Sequence, residues 1–340
     1  MNMKTSLLVD RPLDALDVAS ASSIRPVWFI LAFAVLLALA VPFQTTVYPV
    51  FVMKVLCYAL FASAFNLLLG FGGLLSFGHA AFFGSASYVT AYLCSAIGLG
   101  PATGIAAGVL AAAVLGALMG GLAIRRQGIY FAMVTLALAQ LVYFVALQSP
   151  YTGGEDGMQN VPRGKLFGII DLASDTAMYY LVLCVSVGGF ALIHRAIHSP
   201  FGEVLRAIRE NEARAMSLGY QVNRYKLLAF VLSAALSGLA GSTKALVFQV
   251  ATLGDVHWHA SGEVILMTLL GGVGTLLGPV VGATVVVALQ KYLSGAGAWS
   301  TVVMGCVFMV CVLMFRRGIV GELAAALSKH FGGRGGRADR

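Results

Sequence analysis

The chain has 340 residues, of which 59% are hydrophobic and only 11% are charged. A mean hydropathy of +0.88 together with apolar runs of about 20 residues excludes a soluble globular protein and predicts an all-α, polytopic integral membrane protein. The net charge of +8 does not indicate a nucleic-acid partner, because the basic residues are distributed as membrane topology requires.

Ten hydrophobic segments follow a polar tail, and they predict about ten transmembrane helices. They lie at about 27–43, 48–69, 80–98, 102–124, 128–148, 177–194, 226–249, 262–276, 278–293 and 298–315. The eighth and ninth segments are short and separated by a glycine-rich break, so they could instead form a re-entrant pair. We therefore predict an N-terminal tail (1–26), a transmembrane domain (27–317) and a basic, glycine-rich C-terminal tail (318–340).

Most of the 22 lysine and arginine residues fall on one side when the ten segments alternate across a membrane. The positive-inside rule places that side, with both termini, in the cytoplasm. The largest cytoplasmic loop is then 195–226, and an acidic loop, 149–176, lies on the periplasmic side of a bacterial inner membrane. The same topology predicts that membrane lipid surrounds the helices.

Three lysines lie inside hydrophobic segments, but the predicted topology puts each one near the outer end of its span. Lys54, Lys244 and Lys291 would reach water by extending their side chains, and Glu263 lies at the same level. These residues could be interfacial anchors. They could also form a polar ring at the entrance of a transport pathway.

The centres of the predicted spans contain no aspartate or glutamate, although proton-driven carriers usually need a buried carboxylate or a histidine relay. The polar side chains that could line a translocation path are Asn66, Ser76, His79, Thr135 and Gln140. The four residues other than histidine could equally satisfy neighbouring backbone groups. His79 could be a hydrogen-bonded packing residue or a titrating switch.

The chain lacks the sequence motifs of catalysis and nucleotide binding. It contains no GxxxxGK[ST] phosphate loop, no HExxH and no GxSxG. Its five cysteines form no CxxC, so neither a disulfide framework nor a metal site is indicated. We expect no enzyme activity, cofactor or metal, and a transporter of this kind would take its energy from another subunit.

Two glycine-rich stretches interrupt the hydrophobic segments in a similar way. The glycines that align, when one gap is allowed, are Gly70, Gly73 and Gly78 with Gly271, Gly274 and Gly278. Both stretches follow a span that runs from outside to inside, so an internal repeat would be parallel. Broken helices often line permeation paths, although a structural turn between packed spans is equally consistent with the pattern.

The most charged part of the chain is SPFGEVLRAIRENEARAMSLGY, residues 199–220. Ser199-Pro200 and Gly219 are typical of the two ends of a helix. Helical spacing gives it an apolar stripe and an opposite charged face, formed by Val204, Ile208, Ala215 and Leu218 and by Arg206, Glu210 and Arg214. Composition alone favours a solvated or membrane-surface helix, but the nearly balanced charge suits contact with another protein.

The same region carries a family resemblance. RAIRENEARAMSLGYQVNRYKLLAFVLSAALSGLAG (206–241) resembles the cytoplasmic loop and following helix of the LivM-type permeases, the inner-membrane subunits of branched-chain amino acid ABC importers. Four further stretches match that family in the same order: NLLLGFGGLLSFGHAAFFG (66–84), GIYFAMVTLALAQ (128–140), TGGEDGM (152–158) and GGVGTLLGPVVGA (271–283). The resemblance covers about residues 48–317.

The resemblance implies a permease dimer, usually of two related but different subunits. Two ATPase subunits would be joined to it, and a soluble periplasmic binding protein would deliver the substrate. Residues 203–219 would be the coupling helix that docks into a cleft on the ATPase. The residues assigned to this contact are Arg206, Arg209, Glu210, Glu212, Ala213 and Gly219.

This sequence departs from the EAA-type signature of importers, in which a glycine follows the glutamate by six residues. Here Glu212-Ala213 is followed by Gly219, seven residues after the glutamate, and Arg214 replaces the second alanine. The departure affects the assignment of single contacts more than the role of the loop.

Two other functions fit part of the pattern. Urea permeases share the same blocks, so urea or a short-chain amide is the alternative substrate class to branched-chain or other hydrophobic amino acids. A self-sufficient secondary transporter or channel is the alternative from a different class of protein. Uptake driven by an ion gradient without ATPase subunits would favour it.

Overall fold

The computed structural model describes residues 48–166, 168, 170–293, 295, 297, 299–314 and 318–322. The predicted tail 1–26 and the first hydrophobic segment lie outside the described residues, as does the C-terminal tail beyond residue 322. Each of the nine predicted segments within the described part coincides with a helix, so the all-α membrane fold is confirmed.

The described helices, numbered in chain order, follow the hydrophobic segments and add short ones between them. They are α1 (Pro49–Asn66), α2 (His79–Ser95), α3 (Pro101–Ala123), α4 (Ile129–Gln148), α5 (Asp175–Ile197), α6 (Pro200–Glu210), α7 (Glu212–Ser217), α8 (Val222–Phe248), α9 (Leu253–Val256), α10 (Trp258–Gly271), α11 (Gly278–Leu293) and α12 (Trp299–Met314). A π-helical turn, Leu67–Phe71, continues α1. A two-stranded antiparallel hairpin, β1 (Lys165–Leu166) and β2 (Ile170–Asp171), precedes α5.

Five of these helices are long and apolar enough to cross a membrane: α1 with its π turn, α3, α4, α5 and α8. By contrast, α10 and α11 have 14 and 16 residues. At 1.5 Å per residue they are about 21 Å and 24 Å long, short of the roughly 30 Å hydrocarbon core. Because α2 and α12 are almost as short, with 17 and 16 residues, length does not distinguish two short spans from a re-entrant pair.

The centre of the bundle is formed by α1 and α8, in which most residues are buried, whereas only 28% of the apolar stretch is buried in α3 and in α4. Phenylalanine, leucine and valine side chains join α1 and α8 to α10 and α11 in one hydrophobic cluster. A second cluster joins α8 to α2, α3 and α4. The outward side of α3 carries apolar residues at every fourth position, namely Leu110, Val114, Leu118 and Leu122, as expected for a lipid-facing surface.

Small residues bring α2, α3 and α8 unusually close together. The inward side of α3 has a small buried residue at every fourth position: Gly104, Gly108, Ala112, Gly116 and Gly120. A Cβ at Gly238 of α8 would collide with Ala112, and one at Gly241 would collide with the Phe83 carbonyl of α2. Ser87 donates a hydrogen bond to the Gly241 carbonyl at 2.8 Å. Close backbone contact of this kind is the usual way in which helices associate in lipid.

Replacing Gly241 with alanine is expected to lower the free energy of unfolding by about 1–3 kcal/mol, because the added methyl group meets backbone atoms that cannot move aside. Gly188 is the matched control, since it lies in α5 with open space around its Cα. Gly188→Ala should raise stability by about 0.5–1 kcal/mol through helix propensity. Thermal unfolding of both variants in detergent measures the difference, and equal effects would contradict the close α2–α8 contact.

The loop 149–176 is attached to the C-terminal end of α8. Met158 pairs with Ala251 in an isolated β-bridge. Arg163 donates to the Val247 carbonyl at 3.0 Å and to the Asp175 carboxylate at 2.7 Å. The loop therefore lies at one end of the bundle, and α6 and α7 lie at the other. These ends are called the opposite end and the α6–α7 end below.

Candidate coupling junction

The charged stretch folds as two helices, and the prediction of one continuous helix is wrong. Asn211 separates α6 from α7 with an extended backbone (φ −157°, ψ 99°), and its side chain accepts a hydrogen bond from the Arg214 amide at 3.0 Å. Asparagine is a preferred N-cap residue because its side chain can accept a hydrogen bond from an amide in the first turn, which has no helical partner. Here the Asn211 side chain stabilises the start of α7 in this way. Arg214 therefore does not continue the charged face of α6.

The apolar stripe of this stretch is partly confirmed. Ile208 and Ala215 are buried and pack with Val222 of α8, with Val204 at the edge of the same small cluster. Leu218 is 70% exposed, because the break at Asn211 turns α7 away from the direction of α6. On the charged face, Arg206 lies 3.8 Å from Glu203 rather than pairing with Glu210.

Arg209 connects the charged helix to the first glycine break. Its Nη1 donates a hydrogen bond to the Gly70 carbonyl, in the π turn that ends α1. The methylenes of the same side chain lie directly over Gly73, and they leave no space for a Cβ there. The left-handed φ of Gly73, 69°, is a second reason for glycine at this position. The neighbouring Arg206 places its guanidinium 5.4 Å from the Phe71 ring. One face of α6 therefore contacts the end of α1 through both arginines.

A second connection joins α7 to the long central helix. Lys226 Nζ lies 2.7 Å from the Glu212 carboxylate, and the Lys226 side chain is only 6% exposed. The sequence analysis placed Lys226 among the basic residues of the cytoplasmic loop. In the structure α8 begins four residues earlier, so Lys226 lies in its first turns and becomes the buried partner of Glu212.

The two glycine breaks contact each other through Asn66. Its amide nitrogen donates to the Thr275 carbonyl at 2.8 Å, and its amide oxygen accepts from the Gly274 amide at 2.9 Å. A Cβ on Gly70 would lie 2.7 Å from the Gly274 nitrogen, so the two backbones also approach each other closely beside Asn66. Backbone groups that the broken helices leave unpaired are satisfied in this way inside the protein.

The two breaks also share local geometry, as the predicted alignment of their glycines requires. Gly73 and Gly274 both have left-handed φ values, 69° and 80°. At the start of the next helix, the Gly78 amide donates to Ser76 Oγ and the Gly278 amide to Thr275 Oγ1, each at 3.1 Å. These matches support a parallel repeat around the two breaks.

Beside these contacts lies an open cavity of about 590 Å³. Its wall combines the first glycine break with charged residues of α6, α7 and α8, including Gly73, Arg209, Glu212 and Lys226. Leu269 and Val273 bring the second break into the same wall. The cavity is therefore bounded by all the parts that the charged contacts connect. We call this set of contacts the coupling junction.

Of the other polar residues proposed for a translocation path, Thr135 and Ser76 bond to backbone groups. Thr135 donates to the Ala132 carbonyl at 2.9 Å and accepts from the Phe77 amide at 3.2 Å. Gln140 of α4 is half-buried. Ser76 Oγ accepts from the Gly78 amide, just before α2 begins. The contacts of Thr135 and Ser76 are those of residues that satisfy the backbone, and the role of all three residues in a path stays a prediction.

His79 is completely buried among aromatic rings. Its Nε2 lies 2.8 Å from Ser233 Oγ, which donates to the Ala64 carbonyl at 2.5 Å. Because that hydroxyl has a single proton, it accepts from His79, which fixes the tautomer that carries hydrogen on Nε2. Phe65 and Phe82 meet the imidazole edge-on. The geometry is that of a packing histidine joining α1, α2 and α8.

The remaining residues proposed for coupling point away from the bundle. Glu210, Ala213 and Gly219 are all exposed at the α6–α7 end, where another protein could contact them. The sequence analysis missed Asn211, Lys226 and Thr275 as members of the junction. Only Asn211 carried a local signal, because asparagine before a short helical run is a typical cap.

A bundle of apolar helices with two glycine breaks meeting beneath a charged helix pair defines a multi-pass membrane protein of the transporter class. The chain belongs to the family described as "Branched-chain amino acid transport system / permease component", whose model matches residues 49–313. This membership confirms the resemblance on which the sequence analysis relied, and it makes the chain a permease component of the ABC transporter type.

The relatives agree with the family but differ in substrate. The chain is 27% identical to the high-affinity branched-chain amino acid transport system permease protein LivM of Escherichia coli, over 92% of this chain and 79% of the relative. It is 30% identical to the ribose import permease protein RbsC of Bacillus subtilis, over 53% of this chain and 58% of the relative. No solved structure matches the chain.

Proposed function

We propose that the chain is the transmembrane subunit of an ATP-driven importer for branched-chain or other hydrophobic amino acids in a bacterial inner membrane. Separate ATPase subunits hydrolyse ATP, a second related permease subunit completes the pathway, and a periplasmic binding protein delivers the substrate. The observation that carries the proposal is the hydrogen bond from Arg209 to Gly70, because it joins an exposed charged helix to a broken helix in the bundle.

The mechanism follows from how the junction is built. ATP binding closes the ATPase dimer and draws the α6–α7 pairs of the two permeases together. Arg209 transmits this displacement to α1, and the Glu212–Lys226 ion pair transmits it to α8. Glycines at the two breaks allow the helix ends to turn, so the pathway changes from inward-facing to outward-facing. Hydrolysis then resets the arrangement.

The proposed orientation puts the α6–α7 end in the cytoplasm together with both termini. The opposite end, with loop 149–176, then faces the periplasm and the binding protein. This assignment follows the positive-inside rule, since most of the basic residues in the described part of the chain lie at the α6–α7 end.

The experiment is reconstitution of the chain in proteoliposomes with its ATPase subunits, sister permease and binding protein. Labelled leucine should accumulate only when ATP, the ATPase subunits and the binding protein are all present. Accumulation by this chain alone, driven by an ion gradient, would refute the proposal and identify a secondary carrier.

The similarity to a ribose import permease makes neutral sugars the second candidate class of substrate. The same proteoliposomes distinguish the two classes by competition. Unlabelled isoleucine and valine should suppress leucine uptake, whereas ribose at the same concentration should not. If ribose suppressed leucine uptake and the two amino acids did not, neutral sugars would become the first candidate class of substrate.

A further inference from the structure

Ionisable side chains gather at the opposite end of the bundle, far from the coupling junction. Lys54 lies in the second turn of α1, Glu263 in the second turn of α10, and Lys244 near the C-terminal end of α8. Asp255 of α9 completes the group. Lys54 and Glu263 lie on α1 and α10, and the C-terminal ends of these two helices lead into the two glycine breaks of the junction.

Two of the four charges form a closed ion pair. Lys244 Nζ lies 2.6 Å from the Asp255 carboxylate, and both side chains are buried. Asp255 also accepts from the amide and the hydroxyl of Thr252, which caps α9. The pair is therefore held by partners within the protein, and its role is structural.

The other two charges, Lys54 and Glu263, form an open pair. They attract each other electrostatically, yet no ion pair within contact distance joins them among the described residues. Glu263 accepts a hydrogen bond from Gln290 of α11, and the Lys54 ammonium lies 5.8 Å from the Tyr58 ring. Both side chains are half-buried, so each has lost part of its water shell without gaining a full partner.

The surroundings of the open pair are apolar. The Tyr58 ring, close to Lys54, also lies 6.0 Å from the ring of the buried Phe83, and Phe83 stacks on Phe61 at 4.5 Å. A positive group and an aromatic ring of α1 and a negative group of α10 therefore lie at the same end of the bundle. An α-amino acid has the complementary arrangement, because its carboxylate, ammonium and side chain diverge from a single carbon.

We propose that Lys54 and Glu263 form the outer receiving site for a zwitterionic amino acid, Lys54 binding its carboxylate and Glu263 its ammonium group, with the hydrophobic side chain against Tyr58. This inference rests on the proposed function and adds the basis of substrate selection by this subunit. Sugars and urea carry no charges for the two groups, so binding them would leave both charges without a full partner.

The test is the dependence of uptake on substrate concentration in the complete reconstituted importer. Lys54→Gln and Glu263→Gln should each raise the KM for leucine by about tenfold or more, since each removes a hydrogen bond between charged groups. Lys54→Arg, which keeps the charge, should remain close to wild type. Lys291→Gln is the matched control, because this exposed lysine of the same end lies outside the open pair.

Binding-protein-stimulated ATP hydrolysis, measured on the same preparations, separates a lost site from a damaged protein. The proposal expects that hydrolysis stays within about twofold of wild type in both glutamine variants. If Glu263→Gln fails to assemble, Lys54→Gln and Lys54→Arg decide the question by themselves. A wild-type KM in both glutamine variants, or equal losses in Lys54→Gln and Lys291→Gln, would overturn the inference but leave the proposed function standing. Absence of leucine uptake by the wild-type complex would instead refute the proposed function.

Discussion

Replacing Arg209 with glutamate is expected to lower uptake by roughly tenfold to a hundredfold while ATP hydrolysis by the associated subunits continues. The carboxylate would face the Gly70 carbonyl oxygen that the guanidinium now binds, so α6 would be pushed from the end of α1 instead of holding it. Displacement of the charged helix pair would then reach the bundle through the remaining contacts, chiefly the Glu212–Lys226 ion pair. The measurement is the number of substrate molecules imported per ATP hydrolysed.

Arg195→Glu provides the control for charge reversal. Arg195 is an exposed arginine in the last turn of α5, at the same end of the bundle and outside the junction. Its replacement should leave the ratio of import to hydrolysis within about twofold of wild type. The role of Arg209 would be untenable if both reversals lowered the ratio equally, or if neither lowered it.

Replacing Lys244 with methionine is expected to lower the free energy of unfolding by about 3–5 kcal/mol, because Asp255 would remain buried without its counter-charge. The matched control is Lys291→Met at the same end. Lys291 is exposed and lies 4.7 Å from the Phe51 ring. Its loss should cost about 0.5–1 kcal/mol, as for an exposed cation–π contact.

The pair of variants also separates two structural roles of a lysine near the outer end of a span, an ion-pair partner and an interfacial anchor. Denaturant titration of the purified protein in detergent gives both free energies. Removing both charges in Lys244→Met/Asp255→Leu should restore most of the stability, apart from about 1 kcal/mol for the lost cap of α9. Equal losses in Lys244→Met and Lys291→Met would mean that Lys244 is an interfacial anchor like its neighbour.

The helices of this chain could be predicted because their cause is local. An apolar run must bury its backbone groups in hydrogen bonds within lipid, and only a helix does this within one segment. Prolines at the first positions of α1, α3 and α6 also mark where each helix begins. The helix boundaries therefore follow from composition and from residues next to each other in the chain.

The break at Asn211 shows where a periodic pattern misleads. Charges at every fourth residue continue through positions 206, 210 and 214, and they predict a single helix. The asparagine side chain nevertheless satisfies the Arg214 amide and stabilises a new helix start. A capping residue within a short polar stretch outweighs weak pairs between exposed charges, each of which contributes only about 0.3–0.5 kcal/mol.

The junction itself could not be derived from local sequence. Asn66 and Thr275 are 209 positions apart, and nothing in either segment specifies the other as its partner. The alignment of the two glycine breaks was the only signal that connects them. The buried ion pair of Lys244 was likewise hidden, because a lysine near the end of an apolar segment looks the same whether it reaches water or a carboxylate.

The close contact of α2, α3 and α8 has a mechanical consequence. Where backbone touches backbone, no side chain can change rotamer to absorb a shift, so these three helices must travel as a rigid block. Large side chains such as Phe61, Phe65 and Leu67 fill the boundary between that block and the helices around α1. We expect the block to rotate along this boundary. The backbone at the glycine breaks beneath it would bend during this rotation.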